Sequence, residues 1–349
     1  MSASTVVLSG IGRTIPGRRL TNREWEQMVA TTDEWIQQNI GIRERLRIDV
    51  ESTPTEMGAR AAQKALSMAG VQPDEIDFVL CATNSPADTF PSTAAMIQKQ
   101  LAARHATAMD LQAGCTGWLY GMRLATGLIG SGEARQVLVV GTEALTRSLN
   151  LNDRSSVLFG DAGAAAVLSA GDTLPADRQP DRLSRPLFAS LTTPSRAMQQ
   201  PTIYSGELNR VEDYIQGKDM SMVPRPQASM DGKASLKLAL TDTLRVVDEV
   251  LERAAAQGIA RSDIKVFVPH QTNVHIVRKF CAHIDFPFER IPYSLDRYGG
   301  LSTAGIPTNL VEHWQAGRVH PGDLVLACGY GAGFTTAAML LEWCLPPDA

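Results

Sequence analysis

Long hydrophobic runs are missing from this 349-residue sequence, and none is long enough to span a bilayer. The first four residues, Met1 to Ser4, lack the basic and apolar regions of a signal peptide. Both absences argue against membrane insertion and export. We therefore expect a cytoplasmic protein that makes no membrane contact.

Cysteines with disulfide-type or zinc-type spacing are also missing. The five cysteines are odd in number and scattered, at positions 81, 115, 281, 328 and 344. No pair has the short spacing of a zinc site, and none indicates a disulfide framework. The sequence therefore predicts no metal centre and favours a reducing compartment.

Neither sign of charge is in strong excess. The 33 Lys and Arg residues oppose 37 Asp and Glu residues, and a net charge of −4 gives no reason to expect a nucleic acid partner. No phosphate-loop signature is present. A hydrophobic content of 44% is typical of a globular protein. The length of 349 residues is enough for one large or two ordinary domains. Any phosphate-bearing ligand would need a local basic patch.

What the sequence does contain is an alternation of strand and helix patterns. The capping box formed by Thr53 and Glu56, with Pro54 at the first helical position, predicts a helix that ends near Ala69. The remaining periodic segments predict strands at 6–11, 76–82, 106–111, 136–140, 164–168, 265–268 and 324–327 and through 341, and helices at 93–103, 234–256, 273–283 and 307–315. This alternation indicates a layered α/β fold.

The alternation has two parts, and the two parts end in similar segments. Residues 159–168 and 330–340 are both glycine-rich and alanine-rich turns that lead into strands of small residues. This echo predicts an internal duplication, with residues 1–170 and 231–349 as two similar halves. Between them, residues 171–230 show no clear period and are predicted to be an irregular excursion, of a length usually found in functional covers or mobile loops.

Cys115 lies in the most informative segment, between a predicted strand and an apolar helix that runs to Ile129. A sulfur at a helix N-terminus is near the positive end of the helix dipole, which favours the thiolate. Gly114 and Gly117 leave space for a substrate beside it. The segment is therefore a candidate nucleophile turn. The alternative is a small buried cysteine with a packing role.

His270 follows a strand that ends at Pro269, at the kind of sheet edge where α/β proteins bind ligands. A neutral imidazole there could accept a proton from Cys115 or stabilise a developing oxyanion. The alternative is a structural histidine at the start of a helix. A glycine-rich loop at 329–334 could supply a backbone oxyanion donor.

Seven segments together resemble one family, β-ketoacyl-ACP synthase III, which has the thiolase-like fold. They are QAGCTG (112–117), FGDAGA (159–164), PHQTN (269–273), DRYG (296–299), GAGF (331–334), TTDEWI (31–36) and GIRER (41–45). The resemblance covers nearly the whole chain in the right order. It implies two duplicated α/β halves in a five-layered αβαβα core, and a homodimer.

The resemblance also implies an acyl-transfer chemistry. Cys115 would accept an acyl group from a coenzyme A or carrier-protein phosphopantetheine thioester, with no permanently bound cofactor. His270 would be the histidine of the Cys-His-Asn set, and the backbone N–H groups of Cys115 and Ala332 would form the oxyanion hole. The resemblance assigns binding roles to Trp35 and Arg154 around the adenine, Gly232 and Asn273 along the pantetheine, Phe90 at a dimer interface, and Arg278 and Lys279 on the carrier-protein surface.

The third motif departs from the family pattern, because Gly300 stands where the family has the catalytic asparagine. In the family that amide helps to stabilise the enolate left by malonyl decarboxylation, and removing one such donor typically lowers the rate by about 10²–10³. Three interpretations follow. The enzyme condenses C–C bonds with a donor that needs no amide, it transfers the acyl group to an O, N or S acceptor, or a nearby Ser302, Thr303 or water replaces the amide.

Gly300 is also expected to enlarge the cavity beside His270, which would suit a bulkier second substrate. A second departure is at the coenzyme A mouth, where Asn39 and His275 replace arginines that the family often carries. Fewer cations there favour a carrier-protein or shorter thioester donor. A non-catalytic partner subunit is the remaining alternative, and the retention of Cys115 and His270 argues against it.

Overall fold

Two mixed β-sheets, one from each part of the sequence, form the frame of the computed structural model, which describes residues 4–149, 151–199 and 229–347. The strands are β1 (Val6–Thr14), β2 (Arg18–Thr21), β3 (Glu44–Arg47), β4 (Phe78–Ala82), β5 (Thr107–Leu111), β6 (Gln136–Glu143), β7 (Ala162–Ala170), β8 (Leu187–Ser195), β9 (Met198–Gln199), β10 (Ser229–Met230), β11 (Ile264–Pro269), β12 (Leu324–Gly331) and β13 (Gly333–Glu342). The helices are α1 (Asn22–Glu26), α2 (Asp33–Asn39), α3 (Pro54–Ala69), α4 (Thr93–Leu101), α5 (Gly117–Ser131), α6 (Gly232–Ala255), α7 (Val274–His283), α8 (Leu295–Tyr298) and α9 (Gly305–Gln315).

The first sheet has the strand order β1-β7-β6-β4-β5, and the second has the order β11-β12-β13-β8. In the first sheet β4 runs parallel to both β5 and β6, while β7 runs antiparallel to its two neighbours. In the second sheet β11 and β12 are parallel, and the remaining pairs are antiparallel. The carboxyl ends of β5 and β11 carry the two segments that contain Cys115 and His270.

Helices α5 and α9 lie between the two sheets. Their buried side chains, such as Trp118 and Leu310, share one apolar cluster with Val139 of the first sheet and Val325 of the second. Helices α3 and α4 cover the outer face of the first sheet, and α6 and α7 cover the outer face of the second. The predicted five-layered αβαβα arrangement is therefore confirmed.

The start of α3 is held by the capping box that the sequence predicted. The Thr53 hydroxyl accepts from the Glu56 N–H at 3.1 Å, and the Glu56 carboxylate accepts from the Thr53 N–H at 3.0 Å. Gly70 ends the helix in the left-handed region, at φ +70°. Local chemistry alone determines both ends of this helix.

The interpretation of 171–230 as irregular needs correction. Nine of its residues form β8, which pairs antiparallel with β13 at the edge of the second sheet. An edge strand is half exposed, so it tolerates polar residues such as Thr192 and a proline such as Pro194, and these hide its period. Residues 200–228 of the predicted excursion lie outside the described residues.

None of the helices within the described ranges is both long enough and apolar enough to cross a membrane.

Candidate active site

Cys115 sits on a tight turn between β5 and α5 that packs against the corner between β12 and β13. Gly114 has φ +55°, and a Cβ on it would lie 2.4 Å from the Ala332 nitrogen. A Cβ on Gly331 would lie 2.3 Å from the Cys115 nitrogen. No side chain fits at either position, so the two backbone segments approach each other closely. The amides of Cys115 and Ala332, the predicted oxyanion donors, therefore lie on adjoining segments.

Two threonine hydroxyls tie this turn to β13. Thr116 Oγ1 and Thr335 Oγ1 are 2.8 Å apart, and each lies within 2.8 Å of the Ala113 carbonyl oxygen. The pair holds the nucleophile turn against the second sheet. The sequence reasoning missed Thr335, because nothing in its local pattern indicates a partner more than two hundred residues away.

The Cys115 side chain is only 8% exposed, and this burial raises the pKa of its thiol to about 12. A hydrogen bond from Ser302 opposes this rise, and the charge of Glu143 adds to it. Desolvation therefore opposes the stabilisation of the thiolate that the sequence predicted at this helix N-terminus. Cys115 rests as a neutral thiol that needs a proton acceptor.

His270 follows β11 and is anchored by its backbone N–H, which donates to the Cys328 carbonyl at 2.7 Å. Its ring meets the Tyr330 ring edge-on, with centroids 5.4 Å apart. Burial lowers the pKa of His270 to about 4, so the imidazole is neutral at pH 7. Neither ring nitrogen has a hydrogen-bond partner among the described residues. The imidazole is therefore free to accept a proton.

Strand β12 brings Cys115 and His270 to the same place. A Cβ on Gly329 would lie 3.1 Å from the His270 Cβ, and Gly331, two residues further along, abuts the Cys115 nitrogen. Two residues of strand span about 7 Å. No hydrogen bond joins the two side chains, and catalytic hydrogen bonds often tighten only when substrate binds. The structure thus places a neutral thiol and a neutral imidazole beside the carboxyl end of β12.

Ser302 contacts the candidate nucleophile directly, with its Oγ 3.3 Å from Cys115 Sγ. Its neighbour Thr303 instead places its Oγ1 3.0 Å from both the Ala82 carbonyl oxygen and the Glu143 carboxylate, which share its one hydrogen. Of the two hydroxyls that the sequence offered near Gly300, only that of Ser302 contacts the sulfur.

Gly300 is fixed by its backbone. Its N–H donates to the Leu158 carbonyl at 2.7 Å, and its carbonyl accepts from Gly160 at 3.0 Å. A Cβ on Gly300 would lie 3.1 Å from Leu158 O, 3.3 Å from Gln271 O and 3.8 Å from Thr272 Cγ2. None of these atoms belongs to His270. A Cβ at position 300 would therefore be crowded by two backbone carbonyl oxygens, and the larger cavity expected beside His270 stays a prediction.

A buried hydroxyl pair lies beside the histidine and was not predicted. Thr272 Oγ1 and Tyr330 Oη form a short hydrogen bond. The Tyr330 ring also stacks on Phe334, with centroids 5.7 Å apart. The pair fixes the aromatic ring against which His270 packs.

The residues expected at the coenzyme A mouth come together in part. The Arg154 guanidinium lies over the Trp35 ring, 5.2 Å from its centroid, and Arg154 Nε donates to the Ala30 carbonyl at 3.0 Å. Asn273 caps α7 by accepting from the His275 N–H at 2.9 Å, and it donates to the Asn39 carbonyl at 2.8 Å. The two positions that lack the family's arginines therefore flank Asn273.

The other predicted binding residues lie on the surface. Gly232 begins α6 with open space around it. Phe90 is 81% exposed. On α7, Arg278 stacks on the Phe288 ring at 4.1 Å and Lys279 is exposed beside it. Within the described residues, no group of three or more His, Cys, Asp or Glu side chains is arranged to hold a metal ion.

Comparisons with known proteins identify the family of this chain. The profile of the family described as 3-oxoacyl-[acyl-carrier-protein (ACP)] synthase III matches residues 109–178, and the profile of its C-terminal part matches residues 254–343. The chain is 36% identical to the β-ketoacyl-ACP synthase III of Allorhizobium ampelinum, covering 97% of this chain and 99% of that protein. It is 37% identical to the enzyme of the same name from Symbiobacterium thermophilum, covering 98% and 99%.

Solved structures show the same similarity. The 3-oxoacyl-ACP synthase III of Aquifex aeolicus superposes with a TM-score of 0.83 at 32% identity, covering 97% of this chain and all of that one. A priming β-ketosynthase from a polyketide biosynthetic pathway superposes with a TM-score of 0.86 at 30% identity, covering 99% and 98%. The chain has the thiolase-like fold and belongs to the 3-oxoacyl-ACP synthase III family.

Proposed function

We propose that this protein is an acyl-thioester-dependent condensing enzyme that forms an acyl-Cys115 intermediate and passes the acyl group to a carbon nucleophile. The proposal rests on one observation. The carboxyl end of β12 brings together a buried neutral thiol and an imidazole whose two nitrogens lack partners among the described residues. A thiol and a neutral base in a dry site are what acylation by a thioester requires.

In the first step, Cys115 Sγ attacks the thioester carbonyl while its proton passes to the His270 imidazole. The carbonyl oxygen becomes an oxyanion next to the Cys115 and Ala332 amides. Collapse of the intermediate expels the donor thiolate, which takes the proton back from His270. The enzyme is left acylated and the imidazole neutral. Gly300 plays no part in this step.

The second step must proceed without the family's amide. C–C condensation remains the favoured outcome, with a nucleophile activated by other means than an amide-stabilised decarboxylation. The second candidate is transfer of the acyl group to an O, N or S acceptor. The specific observation in its favour is Gly300, which removes the one donor that only decarboxylation needs.

The donor is a coenzyme A or carrier-protein thioester. The stacked Trp35 and Arg154 would open to receive an adenine between them, and Gly232 and Asn273 would line the pantetheine path. Arg278 and Lys279 would meet an acidic carrier protein. The positions of Asn39 and His275 carry no permanent cation, so the nucleotide phosphates of coenzyme A are held less tightly than in the family. This weaker binding favours a carrier-protein thioester as the donor.

We further propose a homodimer formed through the outer edge of β5. This strand ends the first sheet and is paired only with β4 among the described strands, and Met109 on it is 41% exposed. Phe90, which is exposed and lies just before α4, would reach into the partner's pocket. Cytoplasmic localisation remains a prediction from the sequence.

The test is intact-mass spectrometry after incubation with two panels of donors of different chain length, one of acyl-CoA and one of acyl-carrier protein. We expect a single acyl adduct that is absent from C115A and much slower to form in H270N. A chase with malonyl-CoA, malonyl-carrier protein or simple alcohol, amine and thiol acceptors then distinguishes condensation from heteroatom transfer. Failure of every donor to acylate the wild-type enzyme would refute the proposed function and favour a non-catalytic partner subunit.

A further inference from the structure

The Ser302 hydroxyl meets the nucleophile from a strained backbone position. Its Oγ lies 3.3 Å from Cys115 Sγ, and both side chains are buried. Ser302 has φ +48°, in the left-handed region that residues other than glycine rarely adopt. Such strain persists only where the surroundings hold it, and it is concentrated at functional sites.

The surroundings that hold Ser302 form a chain of hydrogen bonds that begins at Glu143. Asn84 Nδ2 lies 2.8 Å from Glu143 Oε1 and 3.2 Å from Ser302 Oγ. The same carboxylate accepts from Thr303 Oγ1 at 3.0 Å and from Ser85 Oγ at 2.6 Å. Glu143 therefore fixes both the loop that carries Asn84 and the turn that carries Ser302.

The direction of donation along this chain is determined by the groups present. A carboxylate only accepts, so Asn84 must present its NH₂ group to Glu143. One hydrogen of that group goes to Glu143 and the other to Ser302, which accepts it on a lone pair. The single hydrogen of the Ser302 hydroxyl is then left for Cys115 Sγ.

We propose that Ser302 is a third catalytic residue of this site, beside Cys115 and His270. Its hydroxyl donates to the Cys115 sulfur whenever that sulfur carries negative charge, and Asn84 and Glu143 are positioning residues. The inference deepens the proposed function and rests on Cys115 being the acyl acceptor. As Sγ loses its proton to His270, the Ser302 hydrogen bond stabilises the negative charge that develops on the attacking sulfur. When the second substrate attacks the acyl carbonyl, the Cys115–acyl bond breaks and the departing thiolate regains the same donor.

This role differs from that of the family's amide, which serves the enolate. Ser302 serves the sulfur in both half-reactions, so it leaves the missing amide at Gly300 unreplaced. Loss of the Ser302 hydroxyl should therefore slow acylation itself, whatever the second substrate is.

The experiment measures the rate at which iodoacetamide alkylates Cys115, assigned by peptide mass spectrometry with C115A as the blank. Losing a hydrogen bond to a charged group lowers the thiolate fraction about tenfold. The greater nucleophilicity of a less stabilised thiolate recovers about threefold. We expect S302A and S302G to react about threefold more slowly than the wild type at every pH from 7 to 9.

The controls separate this role from packing. Removing the hydroxyl opens access to the sulfur, so a purely steric role predicts faster alkylation in both variants. S302G also relieves the left-handed strain, so its slow alkylation cannot come from poorer folding, which thermal unfolding checks. S169A removes a buried hydroxyl that bonds Ser9 and Gln136 at the opposite end of β6 and β7 from Glu143, and we expect it to lower thermal stability without changing the alkylation rate.

Asn84 tests the positioning. N84A should slow alkylation as S302A does, and the double variant S302A/N84A should be no slower than S302A alone. Unchanged or faster alkylation in S302A or S302G, or additive effects in the double variant, would overturn the inference. Alkylation uses no acyl donor, so this result stands apart from the acyl-CoA experiment, whose failure would refute the proposed function instead.

Discussion

The burial of His270 leads to a prediction about stability in acid. Burial lowers the pKa of the folded imidazole from 6.5 to about 4. Between these two values the unfolded chain binds a proton that the folded chain excludes, so stability falls as the pH drops from 6.5 to about 4. Below that the folded imidazole is protonated as well, and the loss ends. At about 1.36 kcal/mol per pH unit, the total loss from this fully buried group is on the order of 3 kcal/mol.

The assay is urea unfolding at a series of pH values between 7 and 4, on the wild type and on H270N. The variant lacks the titrating group, so its free energy of unfolding should change less steeply with pH. The difference in slope is at most that of one bound proton, about 1.36 kcal/mol per pH unit. His313, whose pKa burial also lowers to about 4, titrates in both proteins and cancels in the comparison. Equal pH dependence in the two proteins would refute the reasoning.

The same burial has a kinetic readout. An imidazole that stays neutral down to about pH 4 keeps accepting the Cys115 proton throughout the weakly acidic range. The rate of acyl-adduct formation, corrected for unfolded protein, should therefore show no inflection near pH 6.5. An inflection at that pH would mean that the imidazole is solvated in the working enzyme.

Three further predictions concern the glycines and the coenzyme A mouth. G300N should raise malonyl decarboxylation by about 10²-fold over G300A, which carries the same crowded Cβ without the amide, and equal rates in the two would contradict the assigned role. G331A should lower stability by about 1–3 kcal/mol in thermal or urea unfolding, because its Cβ would lie 2.3 Å from the Cys115 nitrogen, whereas G127A on the open face of α5 should be neutral or stabilising. W35A and R154A should raise the KM for acyl-CoA but not for acyl-carrier protein, and an equal rise for both donors would argue against adenine stacking.

The elements whose ends depend on local chemistry could be read from the sequence. The capping box of Thr53 and Glu56 fixed the start of α3, and its Gly70 C-cap fixed the end. Strand β8 could not be read in this way, because its polar edge face and Pro194 remove the alternation that identifies a strand. Its place is determined by β13, which lies about 145 residues further along the chain.

The same distinction between local and long-range information applies to the candidate site. The identities of Cys115 and His270 were readable from the strand ends that precede them. Their protonation states were not, because the desolvation that makes both neutral arises from the packing of two sheets and not from neighbouring residues. The contact of Ser302 with the sulfur joins residues 187 apart, so only the folded chain could reveal it.

The reactive groups are contributed across the boundary between the two sheets. The first part of the chain supplies the sulfur, and the second supplies the imidazole, the Ser302 hydroxyl and the Ala332 amide. Two glycines of β12, Gly329 and Gly331, allow the close approach of the His270 and Cys115 segments. Expressed separately, either part would therefore be chemically inert, and chimaeras that exchange one part between relatives would keep activity only where Gly114 and Gly331 still meet without a Cβ.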